Sequence, residues 1–335
     1  MPVSVDTTIK ITQGTFVQNS VGWLWQALPL VQVFDFNQEV RKTTYDIEPM
    51  TNAMQPGGAA LEWEPGNTPP EPDFDEQNSV TVHPKGFATK PKVINENATP
   101  DIIHRKARDR TNYHLQRAFI SLDKACDTGL TNTTPFTSLT FTGTGALDTE
   151  ASDHVPHKDV NDDLRSLRQF RAVNGLSLEA IMGEEVARIL SGYTAYTGAG
   201  TGSAIAKAIL LDEFALRFAA QHSLDRVHII RKTTNTAEYG QTASYSREVD
   251  FLWMGLLDRR RQPFVAKQGQ DTEGPHGAIA LAMGAPYMPR ISTWTPAGTE
   301  VMISNAKWSH DVITPAYTAE SLTFGKFYPS SQIFT

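Results

Sequence analysis

Val173-Asn174-Gly175-Leu176-Ser177-Leu178-Glu179-Ala180-Ile181-Met182-Gly183, followed by Glu184-Glu185-Val186-Ala187-Arg188-Ile189-Leu190, is the stretch on which the fold turns. Asn174-Gly175 is a helix stop, because both residues accept the left-handed conformation that closes a helix. Ser177 to Met182 then reads as a buried strand. Glu184 to Leu190 reads as a short helix whose first-turn carboxylates stabilise the N-terminal partial charge. Upstream, Asn161-Asp162-Asp163 opens a helix carrying Leu164, Leu167 and Phe170. Downstream, Leu210 to Gln221 is helical, with Leu211, Phe214 and Phe218 on one face. Val227-His228-Ile229-Ile230, Glu248 to Leu256 and Ala278 to Met283 read as strands. Residues 130 to 285 are therefore a mixed α/β region.

The flanks are built differently. From Asp101 to Gly129 the residues Ile103, Ala107, Arg110, Leu115, Phe119, Leu122 and Cys126 recur mainly at spacings of three and four, with Gly129 as the stop. A helix over Asp101 to Asp127 would be roughly 40 Å long at ~1.5 Å per residue. Ahead of it, nine of the 20 prolines fall between Pro49 and Pro100, which excludes a helix there. Thr44 to Val80 holds eight acidic residues and no lysine or arginine. Tyr45-Asp46-Ile47-Glu48 and Ser79-Val80-Thr81-Val82-His83 bracket that acidic tip as strands, so residues 41 to 100 read as a long two-stranded excursion ordered by contacts elsewhere. In residues 1 to 40, Val21, Trp23 and Trp25 alternate, and Val31, Val33, Phe34 and Phe36 follow Pro29. Alternation favours extended chain over helix. With no core of their own, these aromatics belong either to an edge strand of their own domain or to an arm over a neighbouring subunit. Residues 286 to 335 are β-rich, with strands expected at Arg290 to Trp294, Glu300 to Ile303 and Ser321-Leu322-Thr323-Phe324.

Composition narrows the function classes. The formal net charge of -7 lacks the basic excess with which proteins grip nucleic-acid phosphates. The run Arg259-Arg260-Arg261 reads as a solvated face or a subunit contact. The single cysteine, Cys126, allows no disulfide within the chain and fits a small core residue of the long helix, in a protein kept in a reducing cytoplasm. Met1 to Asp6 has no basic region followed by an apolar one, and no segment reaches the ~18 apolar residues of a membrane span.

Candidate chemistry is sparse. His154-Val155-Pro156-His157 has metal-ligand residue types, but Pro156 keeps a regular helix from presenting both imidazoles side by side, and a polar loop is the preferred reading. Gly198-Ala199-Gly200-Thr201-Gly202 follows a helix and not a strand, so it reads as a connector and not as a phosphate cradle. The acid pairs Glu184-Glu185 and Asp162-Asp163 read as helix starts, and His83 as a packed residue of a strand. No Ser-His-Asp or Cys-His arrangement stands out, and no motif calls for a cofactor.

The order of parts (aromatic arm, acidic hairpin, long helix, mixed α/β region, β-rich tail) resembles that of tailed-bacteriophage major capsid proteins with the Hong Kong 97-type fold. Val173 to Gly183 with Glu185-Val186-Ala187 is similar to the helix, strand and helix that begin the family's axial domain. Leu224 to Ile229 with Asn235-Thr236-Ala237, Gly240-Gln241 and Ser244 looks like its second strand and axial loop, and Phe251 to Gly255 like the strand that follows. The resemblance covers most of the chain as a pattern of elements. It implies an α+β fold, with an N-terminal arm at 1–40 and an extended β-hairpin loop at 41–95. A peripheral domain with a spine helix at 96–149, a mixed α/β axial domain at 150–285 and a β-rich return to the peripheral domain at 286–335 complete it.

The function implied is structural and not enzymatic. Hexamers and pentamers would assemble into an icosahedral phage head enclosing double-stranded DNA without strong specific binding. Implied partners are further copies of the chain and scaffolding, portal and decoration proteins, with no membrane. The implied location is the virion, after assembly in the host cytoplasm. Because the arm starts almost at once, without a long charged leading segment, a separate scaffold is expected. Subunit-contact candidates are Trp23, Trp25, Phe34 and Phe36 in the arm, Glu71, Asp73, Asp75 and Glu76 in the hairpin, and Arg105, Arg108 and Arg117 on the spine helix. An encapsulin-like shell around protein cargo would share the fold. A tail or adhesion protein fits the β content but not the long helix, and an enzyme would need a ligand pocket.

Overall fold

The computed structural model describes residues 120–149, 154–168, 176–197, 210–231, 242, 249–259 and 324–335, helical positions at 30, 33, 105, 106 and 109, and the further strands named below. The chain forms two compact units, one of Met1–Thr44, Thr81–Cys126 and Leu281–Ile313, the other of Tyr45–Val80, Asp127–Ala280 and Thr314–Thr335.

The second unit is organised by a five-stranded mixed sheet in the order Thr137–Ser138, Gly325–Tyr328, Leu252–Asp258, Leu176–Gly183 and Arg226–Ile230. Leu252–Asp258 lies at its centre, antiparallel to both neighbours, with Trp253 opposite Phe327 on one side and Ile181 on the other. Leu176–Gly183 and Arg226–Ile230 run parallel. Since side chains alternate across a strand, Leu178, Ala180, Met182, Leu252, Met254 and Leu256 share one face, and Glu179, Ile181, Trp253, Gly255 and Phe327 the other. Leu176–Gly183 is buried on both faces, which is why its sequence is a near-continuous apolar run.

Helices follow from local chemistry. Glu184–Ser191 starts directly after the strand at Gly183, with Glu184 and Glu185 in its first turn and Arg188 paired to Glu184 one turn on. Leu211–His222 buries Phe214, Phe218 and His222, spaced by four. It closes at Ser223, whose φ of 53° lets the Leu224 N–H reach the Ala219 carbonyl at 2.9 Å. Pro156–Arg168 packs on the central strand and on Leu211–His222. It begins five residues before the expected start at Asn161. Pro156 suits a first helical turn, where its missing N–H breaks no hydrogen bond, so Asp162 and Asp163 lie mid-helix and not at a helix start.

Two strand limits also differ from expectation. The run from Glu248 is interrupted because Val249 is buried with φ 57°, and the central strand starts at Leu252. The closing strand is Gly325–Tyr328, preceded by a bend at Phe324, and residues 321–323 lie outside the described set. Beyond it the one-turn helix Ser330–Ile333 holds the chain end. Leu147 and Asp148 N–H groups donate to the carbonyls of Gln332 and Ile333 at 3.1 and 3.0 Å, and Thr335 N–H donates to the Asp148 carboxylate at 3.1 Å. Residues 286–335 thus divide between the units. A small antiparallel pair joins Thr233–Asn235 to Tyr245–Arg247, and Thr44–Ile47 pairs with Asn78–Thr81, the two strands expected to flank the acidic tip.

The first unit is built on the 13-residue strand Val301–Ile313, far longer than the expected Glu300 to Ile303. It pairs antiparallel with Arg290–Trp294, Lys85–Thr89 and Lys92–Ile94, while Ala280–Met283 pairs in parallel with Phe36–Glu39. Helical backbone runs from 120 to 130, with Leu122 and Cys126 buried. It passes through Gly129 and ends at Leu130, where the Thr131 hydroxyl donates to the Asp127 and Thr128 carbonyls at 3.4 and 3.3 Å. The continuous helix expected from Asp101 lies largely outside the described residues. Leu30 and Val33 are helical and buried, not extended, as their spacing of three behind Pro29 permits.

The tightest point of the second unit is Trp253. Its ring is fully buried on the face shared with Gly255, and Gly255 pairs across the sheet with Gly325. A Cβ at Gly255 would lie 2.7 Å from the Phe324 carbonyl oxygen and closer still to the indole. One at Gly325 would lie 2.8 Å from Phe136 and 2.9 Å from Trp253. Phe136 meets the indole edge-on at 5.7 Å between centroids. Gly255→Ala and Gly325→Ala are each expected to destabilise the protein by about 1–3 kcal/mol through overpacking, measured by urea unfolding. Variants as stable as the parent would show that the indole has other room.

Candidate functional site

Among the described residues of the second unit three polar clusters stand out, two of them centred on the fully buried Glu179 and His222. Glu179, fully buried, is the one charged residue of the strand Leu176–Gly183. Its carboxylate accepts from Arg259 Nε at 2.7 Å and again from the same guanidinium, and lies 2.6 Å from His228 Nε2. Burial pushes the Glu179 carboxyl up, but hydrogen bonds from His228 and Arg259, the Arg259 charge and a hydrogen bond from Ser177 outweigh it and hold the group at about 2. Arg259 therefore turns inward, with its side chain 19% exposed, and is not part of a solvated arginine face. Arg260 and Arg261 lie outside the described residues.

The second cluster joins His222, Tyr196, Asn161 and Arg168, and the third joins Asp163 to the sheet. Lys326 Nζ donates to the Asp163 carbonyl at 2.9 Å, and the Tyr328 hydroxyl donates to the Asp163 carboxylate. Phe141 stacks on Tyr328 at 3.7 Å, and burial pushes the Tyr328 hydroxyl far above its usual range. Each of these groups has hydrogen-bond partners inside the fold, so they tie its elements together.

His154 is buried, with Nδ1 3.0 Å from the Thr142 carbonyl and Nε2 2.9 Å from the Gly145 carbonyl, so the ring braces the loop at 142–145. His157 belongs to the helix that Pro156 opens, which corrects the reading of all four residues as loop. Among the described residues no three His, Cys, Asp or Glu side chains gather as a metal site, and no helix is long and apolar enough to cross a membrane.

Outward, the helix Leu211–His222 exposes Leu216 (74%) and takes part in the ion pairs Arg217–Glu213 at 2.6 Å and Arg231–Asp212 at 2.8 Å. Of the contact candidates read from sequence, Arg105 is helical and exposed and Phe36 lies in the strand Phe36–Glu39. Trp23, Trp25, Phe34, Glu71, Asp73, Asp75, Glu76, Arg108 and Arg117 lie outside the described residues, as do His83 and Gly198 to Gly202.

A phage-related protein from Bordetella bronchiseptica RB50 superposes on this chain with a TM-score of 0.58, covering 96% of this chain and 98% of the other at 9% identity. The two share one fold. Looser superpositions relate the chain to a virus-like particle from Pyrococcus furiosus (TM-score 0.46, 8% identity, 94% and 98% covered) and to the mature capsid of bacteriophage PhiM1 (0.44, 10% identity, 88% and 87% covered). The fold shared with the phage-related protein is in keeping with the fold resemblance read from the sequence. No protein-family model and no curated protein matches the chain.

The clusters were hidden in sequence, although two left a signal. A lone glutamate in an apolar strand demands a buried cation, and His222 continues the four-residue spacing of Phe214 and Phe218. Nothing in the sequence pairs Asp163 with Tyr328. Because the folded Glu179 carboxyl sits near 2 against an ordinary 4.5, its contribution is complete above pH 4.5 and is lost as pH falls towards 2. Glu179→Gln is expected to destabilise by about 3–5 kcal/mol at pH 7 by stranding Arg259. The gap from the parent should close between pH 4.5 and 2 in acid titrations of urea stability. A gap that does not change with pH would sink this assignment.

Proposed function

We propose that the chain is a phage major capsid protein of the Hong Kong 97 type, a structural subunit that assembles as hexamers and pentamers into an icosahedral head around double-stranded DNA. The supporting observation is the near full-length fold shared with a phage-related protein. In this reading residues 1–40 are the arm, 41–95 the extended loop and 96–149 the peripheral domain with its spine helix. Residues 150–285 are the axial domain. The tail first returns to the peripheral domain, and its last segment, Thr314–Thr335, completes the axial sheet, consistent with Gly325–Tyr328 beside the central strand.

The physics suits a shell. Closed shells arise when one subunit reuses complementary patches. In this reading the arm ahead of Leu30 and the hairpin gain burial on neighbours, so folding and assembly share free energy. Many modest contacts then act together as a lattice. Scaffolding, portal and decoration proteins are the partners of this reading, the virion is its location, and no cofactor is required. The net charge of -7 suits an inner wall that packs DNA without gripping it. The same charge supports a second reading, an encapsulin-like shell around protein cargo, which particle contents distinguish. Electron microscopy of the purified protein, with scaffold supplied, is expected to show closed icosahedral shells. A monodisperse monomer or dimer under every assembly condition would exclude both readings.

The contact candidates have opposite charge. The hairpin from Thr44 to Val80 carries eight acids without a cation, whereas Arg105 to Lys124 carries six cations against two acids. A neighbour's hairpin over the exposed side of the spine helix, where Arg105 and Lys106 are exposed, offsets both excesses. Each exposed pair contributes only ~0–1 kcal/mol, so the effect is collective. It weakens as the screening length falls from ~10 Å at 0.1 M salt to ~3 Å at 1 M. Neutralising Glu71, Asp73, Asp75 and Glu76 together should leave the subunit folded and impair shell formation in sedimentation assays, and high salt should impair it more mildly. Equal assembly of variant and parent at both salt levels would leave shape and apolar contact as the only docking forces.

A further inference from the structure

We propose that His222 is an acid-triggered release for the helical layer of the second unit. The imidazole is fully buried at the end of Leu211–His222, and both ring nitrogens are engaged. Nδ1 lies 3.2 Å from Asn161 Oδ1, and Nε2 lies 2.9 Å from the Tyr196 hydroxyl. An amide oxygen only accepts, so Nδ1 carries the proton and Nε2 accepts from the Tyr196 O–H. Arg168 fixes the same arrangement, donating to Asn161 Oδ1 at 2.6 Å and to the His222 carbonyl at 2.9 Å. The cluster is thus built for one tautomer of a neutral ring.

A proton added at Nε2 forces the Tyr196 hydroxyl to turn from donor to acceptor and puts a second buried cation beside Arg168. The charges that bear on the ring are Arg168 and His157, both from Pro156–Arg168. Tyr196 is its titratable neighbour on the one-turn helix Thr194–Thr197, and Arg217, on the ring's own helix, donates to the Tyr196 carbonyl at 3.2 Å. Burial, together with Arg168 and His157, holds the imidazole well below its ordinary 6.5, at about 3. Tyr196 also packs against Phe214 and Phe218 at 5.6 and 5.3 Å between centroids, so three helical elements meet at this one ring system.

The sign follows directly. Once the cluster opens, the ring titrates near 6.5, whereas the closed cluster admits a proton only near 3. The closed state holds its full advantage above pH 6.5 and loses about tenfold per pH unit as pH falls towards 3. The Glu179 pair weakens only below pH 4.5, so acid loosens the helices first and the sheet later.

Hydrogen exchange on the full chain in its native assembly, corrected for intrinsic rates, tests this. Between pH 7.5 and 5 the opening of residues 194–197 and 211–222 is expected to increase by about thirtyfold. His222→Gln can donate to Asn161 and accept from Tyr196 without taking a proton, and it should abolish that increase. Tyr196→Phe should retain it, because the ring stays buried beside Arg168. A parent whose protection in these segments is unchanged from pH 7.5 to 5 overturns the proposal, and that measurement needs no variant. So does a His222→Gln protein that opens with the parent's pH profile.

Discussion

The indole of Trp253 has room on the sheet only because two glycines, Gly255 and Gly325, face each other across adjacent strands beneath it. Much of the second unit depends on that fit. The Gly255–Gly325 register sets the Leu256 N–H on the Phe324 carbonyl at 2.9 Å and places Tyr328 opposite Leu252. Tyr328 then reaches Asp163, and the Leu139 N–H donates to the Phe327 carbonyl at 2.8 Å. A slip of one residue would send every side chain of the closing strand to the opposite face and strand those partners. A large aromatic over two residues without side chains is thus a register lock as well as a piece of core.

The buried polar clusters play a second, different part. Apolar packing is tolerant of exchange, whereas a buried carboxylate or imidazole accepts few arrangements, because each unpaired group keeps its desolvation penalty. Glu179 ties the end of the central strand, through Arg259, to the strand that carries His228. His222 ties three helical elements. Such groups need not add net stability over an apolar substitute, but they make wrong arrangements expensive.

Period and punctuation made the middle of the chain legible. Ser177 to Met182, Glu184 to Leu190, Leu210 to Gln221 and Val227 to Ile230 match the observed elements to within a residue or two, because apolar spacing and first-turn acids act locally. The misreadings have non-local causes. Pro156 looked like a helix breaker, though a first-turn proline is also a helix starter. Arg259 looked solvent-bound because its partner is 80 positions away. Val249 ended an apparent strand through a backbone angle that composition does not reveal. The contact candidates in the arm and hairpin were chosen by charge and aromaticity alone, and only Arg105 and Phe36 among them fall on described residues.

The division into two units has a consequence for how any variant is interpreted. The chain passes from one unit to the other five times, at 44, 80, 126, 280 and 313. Ordinary domains are separated at exposed linkers where few contacts cross. Here several crossings fall inside regular elements, among them the helix spanning 120–130 and the strand Ala280–Met283. Neither unit is a contiguous segment, so no single truncation isolates one, and each acquires its sheet only after distant stretches have been brought together. Non-local pairing must be bought with loop-closure entropy before it returns any stabilisation. The closing strand, Gly325–Tyr328, is the last of these stretches to be synthesised, and it supplies the neighbour that the Trp253 strand needs on one side. Completion of the second unit's sheet therefore waits on that stretch.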